Sequence, residues 1–131
     1  MDFIILGKPI PLKRSRSTKS GYHYNSQKNE MKEVSEYIKA QLPDDFVPFT
    51  GALHLIICFH IEIPKSFSRR KRDELKGRYH TCRPDNSNIL KFYEDALNGI
   101  LWHDDCIIAK LTVSKFWQVE PRTLLKVVTL E

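Results

Sequence analysis

An unbroken alternation of apolar residues between Leu53 and Ile63 limits the fold of this chain more than any other feature. Apolar side chains occupy every second position there, and His54 and His60 are among the residues between them. Successive side chains of a β-strand point to opposite faces of a sheet, so this pattern predicts a strand with one face in a hydrophobic core. We expect residues 53–63 to form the central strand of the sheet.

Shorter patterns predict further strands and helices on both sides of that strand. Apolar residues at helical spacing predict the helices, and Ser26 can serve as the N-cap of the first one. The predicted order is strand 2–6, helix 26–42, strand 53–63, exposed helix 68–76, a helix from 86 or 87 to 98, strand 106–118 and strand 123–130. This order predicts one α+β domain, with a mixed sheet and helices packed mainly on one face.

Composition and length exclude several classes of protein. The chain has 131 residues, of which 41% are hydrophobic and 28% charged, a balance typical of a folded domain rather than a disordered or fibrous chain. No run approaches the roughly 18 apolar residues of a membrane-spanning helix, and the first residues lack the pattern of a secretory signal. The three cysteines are odd in number and match no usual zinc spacing. We expect a cytoplasmic protein with reduced thiols and no membrane partner.

Positive charge is concentrated in two segments, residues 8–20 and residues 65–83. The first contains lysines and arginines but no acidic residue, and the second contains many more basic than acidic residues. Because the whole chain carries only +5, the rest of it is net acidic. A cationic surface on an otherwise acidic domain suits a phosphate backbone, and aromatic residues such as Tyr22 and Tyr79 are interleaved with the charge. Charge runs alone usually indicate solvated loops, but two such runs with interleaved aromatic residues make nucleic-acid binding an equally good explanation.

Residues that can support chemistry are concentrated in the segment 83–105. On the predicted helix, Ser87, Lys91 and Asp95 are four positions apart, which places them on one face. Asn88 lies beside them, and the apolar stripe of the helix is on the opposite side. The helix therefore presents a polar face away from the core.

Three aspartates flank this helix: Asp85 immediately before it, and Asp104 and Asp105 shortly after it. Each has an ordinary explanation, because carboxylates cap helices and are common in turns. Carboxylates near a DNA-binding surface repel phosphate, however, unless a divalent cation such as Mg²⁺ neutralises them. A metal-bound water is a better nucleophile, and a nearby lysine such as Lys91 can stabilise charge that develops at phosphorus. The residues therefore fit metal-assisted hydrolysis of a phosphodiester.

Two segments resemble the RusA family of Holliday junction resolvases, which occur in bacteria and their phages. The family has K/R-P-D-x-D-N-x-x-K-x-x-x-D-A-L-N-G followed by an aromatic-x-D-D motif. Residues 83–99 read R-P-D-N-S-N-I-L-K-F-Y-E-D-A-L-N-G, and residues 102–105 read W-H-D-D. The family's amino-terminal G-x-P-x-P-x-x-R-x-R is similar to residues 7–16, which read G-K-P-I-P-L-K-R-S-R. The resemblance covers essentially the entire chain and implies one RusA-like endonuclease domain over residues 1–131.

What the resemblance implies is a Mg²⁺-dependent crossover junction endodeoxyribonuclease, with Mn²⁺ as a possible substitute. Such an enzyme nicks two opposed strands of a four-way DNA junction during recombination and repair. The matching positions imply catalytic roles for Asp85, Lys91 and Asp105, and metal binding by Asp85, Asp104 and Asp105. Asn88 and Asp95 match recurring motif positions and are expected to assist.

The resemblance also implies a homodimer whose basic segments contact branched DNA. Two equivalent sites related by a two-fold axis suit the cutting of two equivalent strands. The predicted DNA contacts are Lys13, Arg14, Arg16, Arg69, Arg70, Lys71 and Arg72.

One position departs from the family pattern. The second aspartate of the motif is replaced by Ser87, whose neutral hydroxyl is a weaker ligand for a hard cation. Three outcomes stay open: weaker cleavage by Asp85, Asp104 and Asp105, recruitment of Asp95 or Glu94 as a substitute, or a branched-DNA-binding protein that does not cut. A module that binds single strands or RNA, without a preference for junctions, is a further alternative.

Overall fold

The computed structural model describes residues 1–13, 16–17, 23–24 and 27–130, with only the backbone described at 16–17 and 23–24. Six strands, three α-helices and one 3₁₀ turn occur in this part of the chain. Their order is β1 Asp2–Leu6, β2 Arg16–Ser17, β3 His23–Tyr24, α1 Lys28–Lys39, β4 Leu53–Glu62, α2 Arg69–Leu75, α3 Asn86–Leu97, the 3₁₀ turn Asp105–Ile107, β5 Ile108–Gln118 and β6 Arg122–Thr129.

Four of the strands form one mixed sheet in the order β1-β6-β4-β5. Strands β4 and β5 run parallel, whereas β6 is antiparallel to both β1 and β4. The strand predicted to be central, β4, lies in the interior of this sheet. The predicted α+β class with a mixed sheet is therefore confirmed.

The hydrophobic core lies on the face of the sheet that the alternation in β4 predicts. Leu55, Ile57 and Phe59 are at most 1% exposed, whereas the residues between them are only partly buried. The long helices α1 and α3 contribute Ile38 and Phe92 to the same core cluster. As their amphipathic spacing predicts, each of these helices packs one apolar face on the sheet.

The parallel pairing of β4 with β5 positions the segment that carries the candidate chemistry. Parallel neighbours need a long crossover connection, and here residues 63–107 form it. This crossover contains α2, α3 and the 3₁₀ turn. Every candidate residue from Asp85 to Asp105 therefore belongs to one connection that packs against a parallel strand pair.

Several boundaries differ from the sequence predictions. Helix α1 ends at Lys39, before the predicted position 42, and the predicted N-cap Ser26 lies outside the described residues. The strand predicted to begin at residue 106 begins at Ile108, because Asp104 caps a 3₁₀ turn over residues 105–107. The small β2–β3 hairpin, with Arg16 opposite Tyr24, was not predicted within the basic loop. In the ranges given above, no helix has the length and apolar character needed to cross a bilayer.

Candidate functional site

An open cleft of about 840 Å³ lies at the N-terminal end of α3. It is lined by Pro11, Leu12, Arg83, Pro84, Asp85, Ser87, Asn88 and Lys91. The lining residues come from two separate parts of the sequence, the amino-terminal loop and the start of α3. Four of the residues predicted from the sequence motif therefore share one cavity.

Hydrogen bonds to α3 and α1 hold the amino-terminal loop against this cleft. The backbone amide of Leu12 donates to the carbonyl oxygen of Asn88 at 3.0 Å. The buried Gln27 side chain joins two loop positions, because its Nε2 donates to the Pro11 carbonyl at 2.9 Å and its Oε1 accepts from the Lys13 amide at 2.7 Å. Lys13 is exposed and directly follows Leu12, which lines the cleft, so this anchoring fixes the backbone of a cationic residue near the cleft.

Asp85 occupies the N-cap position of α3, but its carboxylate makes no capping hydrogen bond. Its backbone carbonyl accepts from the amides of Asn88 and Ile89, each at 3.1 Å, and thereby begins the helix. The simple explanation of Asp85 as a capping side chain is therefore not supported. The exposed carboxylate lies at the positive end of the helix dipole and is available to a ligand in the cleft.

Lys91 joins the cleft to two further carboxylates. Its Nζ lies 3.1 Å from Oδ1 of Asp95 and 3.4 Å from Oδ2 of Asp105. The hydrogen bond to Asp95 is the main reason that the pKa of Lys91 is raised, and Asp105 adds to the effect. Lys91 also lines the cleft that contains Asp85, so it belongs both to the cleft and to the cluster with Asp95 and Asp105. Asp95 can keep Lys91 in place when Asp105 contacts something else.

Asp104 and Asp105 follow a loop that is anchored in the core. Trp102 is fully buried, and the amide of His103 donates to the Phe49 carbonyl at 2.8 Å. Asp104 then caps the 3₁₀ turn, because its Oδ1 accepts from the Cys106 amide at 3.2 Å, and this hydrogen bond lowers the pKa of Asp104. Asp105 does not cap the turn and instead contacts Lys91. The two neighbouring aspartates therefore differ in what they do locally.

Glu94 is a partly buried carboxylate close enough to Lys91, Asp95 and Asp105 to be affected by their charges. Burial is the main cause of its raised pKa, and the charges of Asp105 and Asp95 raise it further, whereas Lys91 opposes the shift. Glu94, one of the two candidates to replace the missing second aspartate, is thus near Lys91, but its surroundings disfavour its charged form, whereas the other candidate, Asp95, is paired with Lys91. Ser87, at the position of that aspartate, is exposed and faces the cleft.

The carboxylates form a sparse donor set for a cation. In the ranges where side chains are described, no three His, Cys, Asp or Glu residues converge closely enough to hold a metal ion. Mg²⁺ usually takes one or two protein carboxylates and completes its shell with waters and substrate phosphates. Asp85 lines the cleft and Asp105 contacts Lys91 of the same cleft, so the two carboxylates match that number of ligands, and the Ser87 hydroxyl is a neutral oxygen in the cleft. A closed metal cage built entirely from protein does not fit this site.

The predicted DNA contacts are distributed over the amino-terminal loop and α2. Ser68 caps α2 by accepting from the Lys71 amide at 3.2 Å, and Arg69 and Arg70 are exposed. Lys71 and Arg72 lie on the same helix, and the Lys71 ammonium is 4.1 Å from the centre of the Phe67 ring. No residue of α2 buries its side chain, so the helix presents its charge to solvent.

Two further predicted contacts lie at the start of the chain. Arg14 is outside the described residues, and only the backbone of Arg16 is described, in β2. Their roles stay predictions.

One residue near the site was missed by the sequence analysis. Lys115 of β5 is only 9% exposed, and its ammonium contacts the segment that leads into Asp85. The signal was present, because Val113, Lys115 and Trp117 alternate in a strand and Lys115 thus occupies a core-facing position. A charged residue in such a position is rarely buried without specific partners.

Comparison with known proteins gives two results. The model of a family described as "Endodeoxyribonuclease RusA" matches residues 7–128, which is nearly the whole chain. The chain is also similar to "Uncharacterized protein YqaN" of Bacillus subtilis strain 168, with 29% identity over 131 residues that cover 93% of this chain and 91% of that protein. The matched range includes the amino-terminal loop, α2, the cleft and both flanking aspartate segments.

Proposed function

Because this chain belongs to the RusA family of endodeoxyribonucleases, we propose that it is a Mg²⁺-dependent nuclease that resolves four-way DNA junctions. The family as a whole consists of junction-resolving endonucleases that generally depend on a divalent metal. One observation supports the proposal most directly. Lys91 lines the same cleft as Asp85, and its ammonium group lies 3.4 Å from Asp105, so one lysine is common to both carboxylates of the motif.

Asp85 and Asp105 are the proposed cation ligands, and Asp104 is an auxiliary carboxylate. When bound, a divalent ion supplies an activated water and neutralises charge on the phosphate. Lys91 stabilises the charge that develops on the phosphate oxygens, because its ammonium group contacts Asp105 and its side chain lines the cleft that contains Asp85. Asp95 is proposed to orient Lys91, which it contacts at 3.1 Å.

Branched DNA and a homodimer complete the proposal. Exposed cations at Lys13 and along α2 provide charge for phosphate contacts, and the loop with Lys13 is held beside the cleft. Two sites in a symmetric dimer can cut two opposed strands of one junction. We place the protein in the bacterial or phage-infected cytoplasm, where such a substrate arises.

Ser87 supports a second candidate function, the binding of branched DNA without efficient cleavage. Its hydroxyl lies in the cleft where the family pattern has a carboxylate, so the site has one formal negative charge fewer. A lower charge on the ligand set weakens the binding of a hard cation. Cleavage is then slow or absent, whereas the basic residues that bind DNA are retained.

A cleavage assay on a labelled four-way junction separates these functions. We expect the wild-type protein to cut the junction in Mg²⁺ or Mn²⁺, and we expect Asp105→Asn to reduce the rate by at least about 100-fold, since charge stabilisation in the transition state is lost. Asp45→Asn, the same chemical change at an exposed aspartate outside the cleft lining, is the matched control and should cut at the wild-type rate. Ser87→Asp should increase the rate at low Mg²⁺.

The pattern of results identifies which function is correct. Tight junction binding with cleavage gained only in Ser87→Asp would favour the non-cutting binder over the enzyme. Equal binding of the junction and of a linear duplex would argue against both, and would favour a less selective nucleic-acid-binding module. Cleavage that survives in Asp105→Asn at the wild-type rate would contradict the assigned site.

A further inference from the structure

The buried lysine of β5 is the feature of the molecule that the proposed chemistry does not use. Lys115 is 9% exposed and lies opposite the fully buried Phe59 in the parallel β4–β5 register. Burying an ammonium group is costly unless hydrogen bonds replace its water shell. The partners of Lys115 therefore indicate why the chain keeps a cation at this position.

The Lys115 ammonium donates to two backbone carbonyls of one short segment. Its Nζ lies 2.7 Å from the carbonyl oxygen of Cys82 and 2.7 Å from that of Pro84. Hydrogen bonds from a charged donor are among the stronger ones in proteins. Pro84 directly precedes Asp85, so one side chain fixes the backbone on the amino-terminal side of the proposed metal ligand.

Backbone hydrogen bonds to β5 do not reach residues 82–84. Residues 77–80 run along β5, with hydrogen bonds from Gly77 to the Trp117 carbonyl, from Trp117 to the Arg78 carbonyl and from His80 to the Lys115 carbonyl. The next attachment of the segment to β5 is the side chain of Lys115. Lys115 thus continues the connection to the sheet across residues 82–84, between the last backbone pair and the start of α3.

We propose that Lys115 is a positioning residue, which holds the Cys82 and Pro84 carbonyls so that Asp85 is presented to the cleft in a fixed place. The proposal rests on the proposed function, because Asp85 is taken as a ligand for a divalent cation. Partners that orient a metal ligand are known to affect metal affinity although they do not touch the ion. Lys115 does not line the cleft, so it acts through the backbone before Asp85.

The test measures binding of Mn²⁺ alone to the full chain, with free Mn²⁺ followed by electron paramagnetic resonance. Lys115→Met removes the donor but keeps an unbranched chain of similar size, and Mn²⁺ affinity should fall about tenfold. Lys110→Met is the matched control, because Lys110 is on the same strand but exposed, and its affinity should equal that of the wild type. Asp85→Asn provides the reference for loss of the ligand itself.

A merely structural role would lower the melting temperature of Lys115→Met but leave the Mn²⁺ affinity of the folded protein unchanged, and that result overturns the proposal. If Lys115→Met does not fold, Lys115→Gln decides in the same way, because its shorter amide cannot reach both carbonyls. Equal Mn²⁺ binding by the wild type and Asp85→Asn would overturn the proposed function together with this inference. A loss in Asp85→Asn without a loss in either Lys115 variant would overturn the role of Lys115 alone.

Discussion

Helices α2 and α3 belong to the same crossover between β4 and β5, yet they are held in opposite ways. Six residues of α3 are buried, including Ile89 and Phe92, whereas no residue of α2 is. Helix α3 carries Lys91 and begins directly after Asp85, and α2 carries a cluster of exposed cations. Catalysis needs groups held in fixed positions, while contacts with a flexible phosphate backbone need mainly charge. The difference in burial between the two helices matches this difference in demand.

The two helices also differ in whether the N-cap side chain makes a capping hydrogen bond. Ser68 of α2 accepts a hydrogen bond from the helix, as a short exposed helix requires to be stable. Asp85 of α3 accepts none with its carboxylate, because the packing of α3 on the sheet already stabilises that helix. Burial of the apolar stripe therefore leaves a side chain at the N-cap free for chemistry.

The largest expected effect tests whether packing in the core, rather than capping, holds α3. Phe92 is fully buried, and Phe92→Ala should lower the free energy of unfolding by about 3–5 kcal/mol through lost burial and a residual cavity. Chemical denaturation followed by circular dichroism measures this change. In α2, Arg70→Ala should change the same quantity by no more than about 0.5 kcal/mol, since Arg70 is exposed. If both variants lost a similar amount of unfolding free energy, the proposed difference between a packed α3 and an exposed α2 would be wrong.

An intermediate effect is expected for DNA binding by α2. The double variant Arg69→Ala, Arg70→Ala should weaken junction binding on the order of tenfold at low salt, because two phosphate contacts are lost. The slope of the logarithm of affinity against the logarithm of salt concentration should become shallower by about 2. Fluorescence anisotropy with a labelled four-way junction across a salt series provides both values.

A matched control keeps the change in net charge but moves it elsewhere. Lys110→Ala with Lys126→Ala removes two exposed cations from the sheet, in β5 and β6. We expect this pair to leave the salt slope close to that of the wild type. An equal reduction of the slope in both double variants would mean that overall charge, rather than α2, attracts the DNA.

The strands and helices were predictable from the sequence because their signals are local. The alternation in β4 and the apolar stripe of α3 each follow from one repeat of side chains along the chain, and both predictions are confirmed. The parallel pairing of β4 with β5 was not predicted, since register depends on residues far apart in sequence. Residues 106 and 107 were predicted as the start of a strand but lie in the 3₁₀ turn, because a single capping contact of Asp104 decides their conformation.

The sequence predicts which residue types form the candidate site, but it predicts only some of the contacts between their side chains. A spacing of four predicts that Lys91 can reach Asp95, and the two form an ion pair. The contact of Lys91 with Asp105 depends on how the loop after α3 returns through buried Trp102, which no local pattern specifies. The role proposed for Lys115 is still harder to predict from the sequence, because it depends on strand pairing and on the course of residues 77–84.

The smallest expected effect concerns the ion pairs of the two helices. Lys91–Asp95 in α3 and Arg70–Glu74 in α2 both join residues four positions apart. Asp95→Asn should lower the free energy of unfolding by about 0.3–0.5 kcal/mol at neutral pH, and Glu74→Gln by less, because Arg70 and Glu74 are more exposed and farther apart.

The pH dependence of this difference tests whether the charge of Lys91 is the origin of the larger effect. The pKa of Lys91 is raised in the folded protein, chiefly by Asp95, so its contribution is fully present below the pKa of an unfolded lysine and is lost as pH rises through the raised value. The difference in unfolding free energy between wild type and Asp95→Asn should therefore stay constant from pH 7 to about 9 and shrink above about pH 10.5. Urea denaturation at these pH values measures it. A difference that persists unchanged in strong alkali would show that Asp95 stabilises α3 without the Lys91 charge, and α3 would then resemble α2 in owing little to its ion pair.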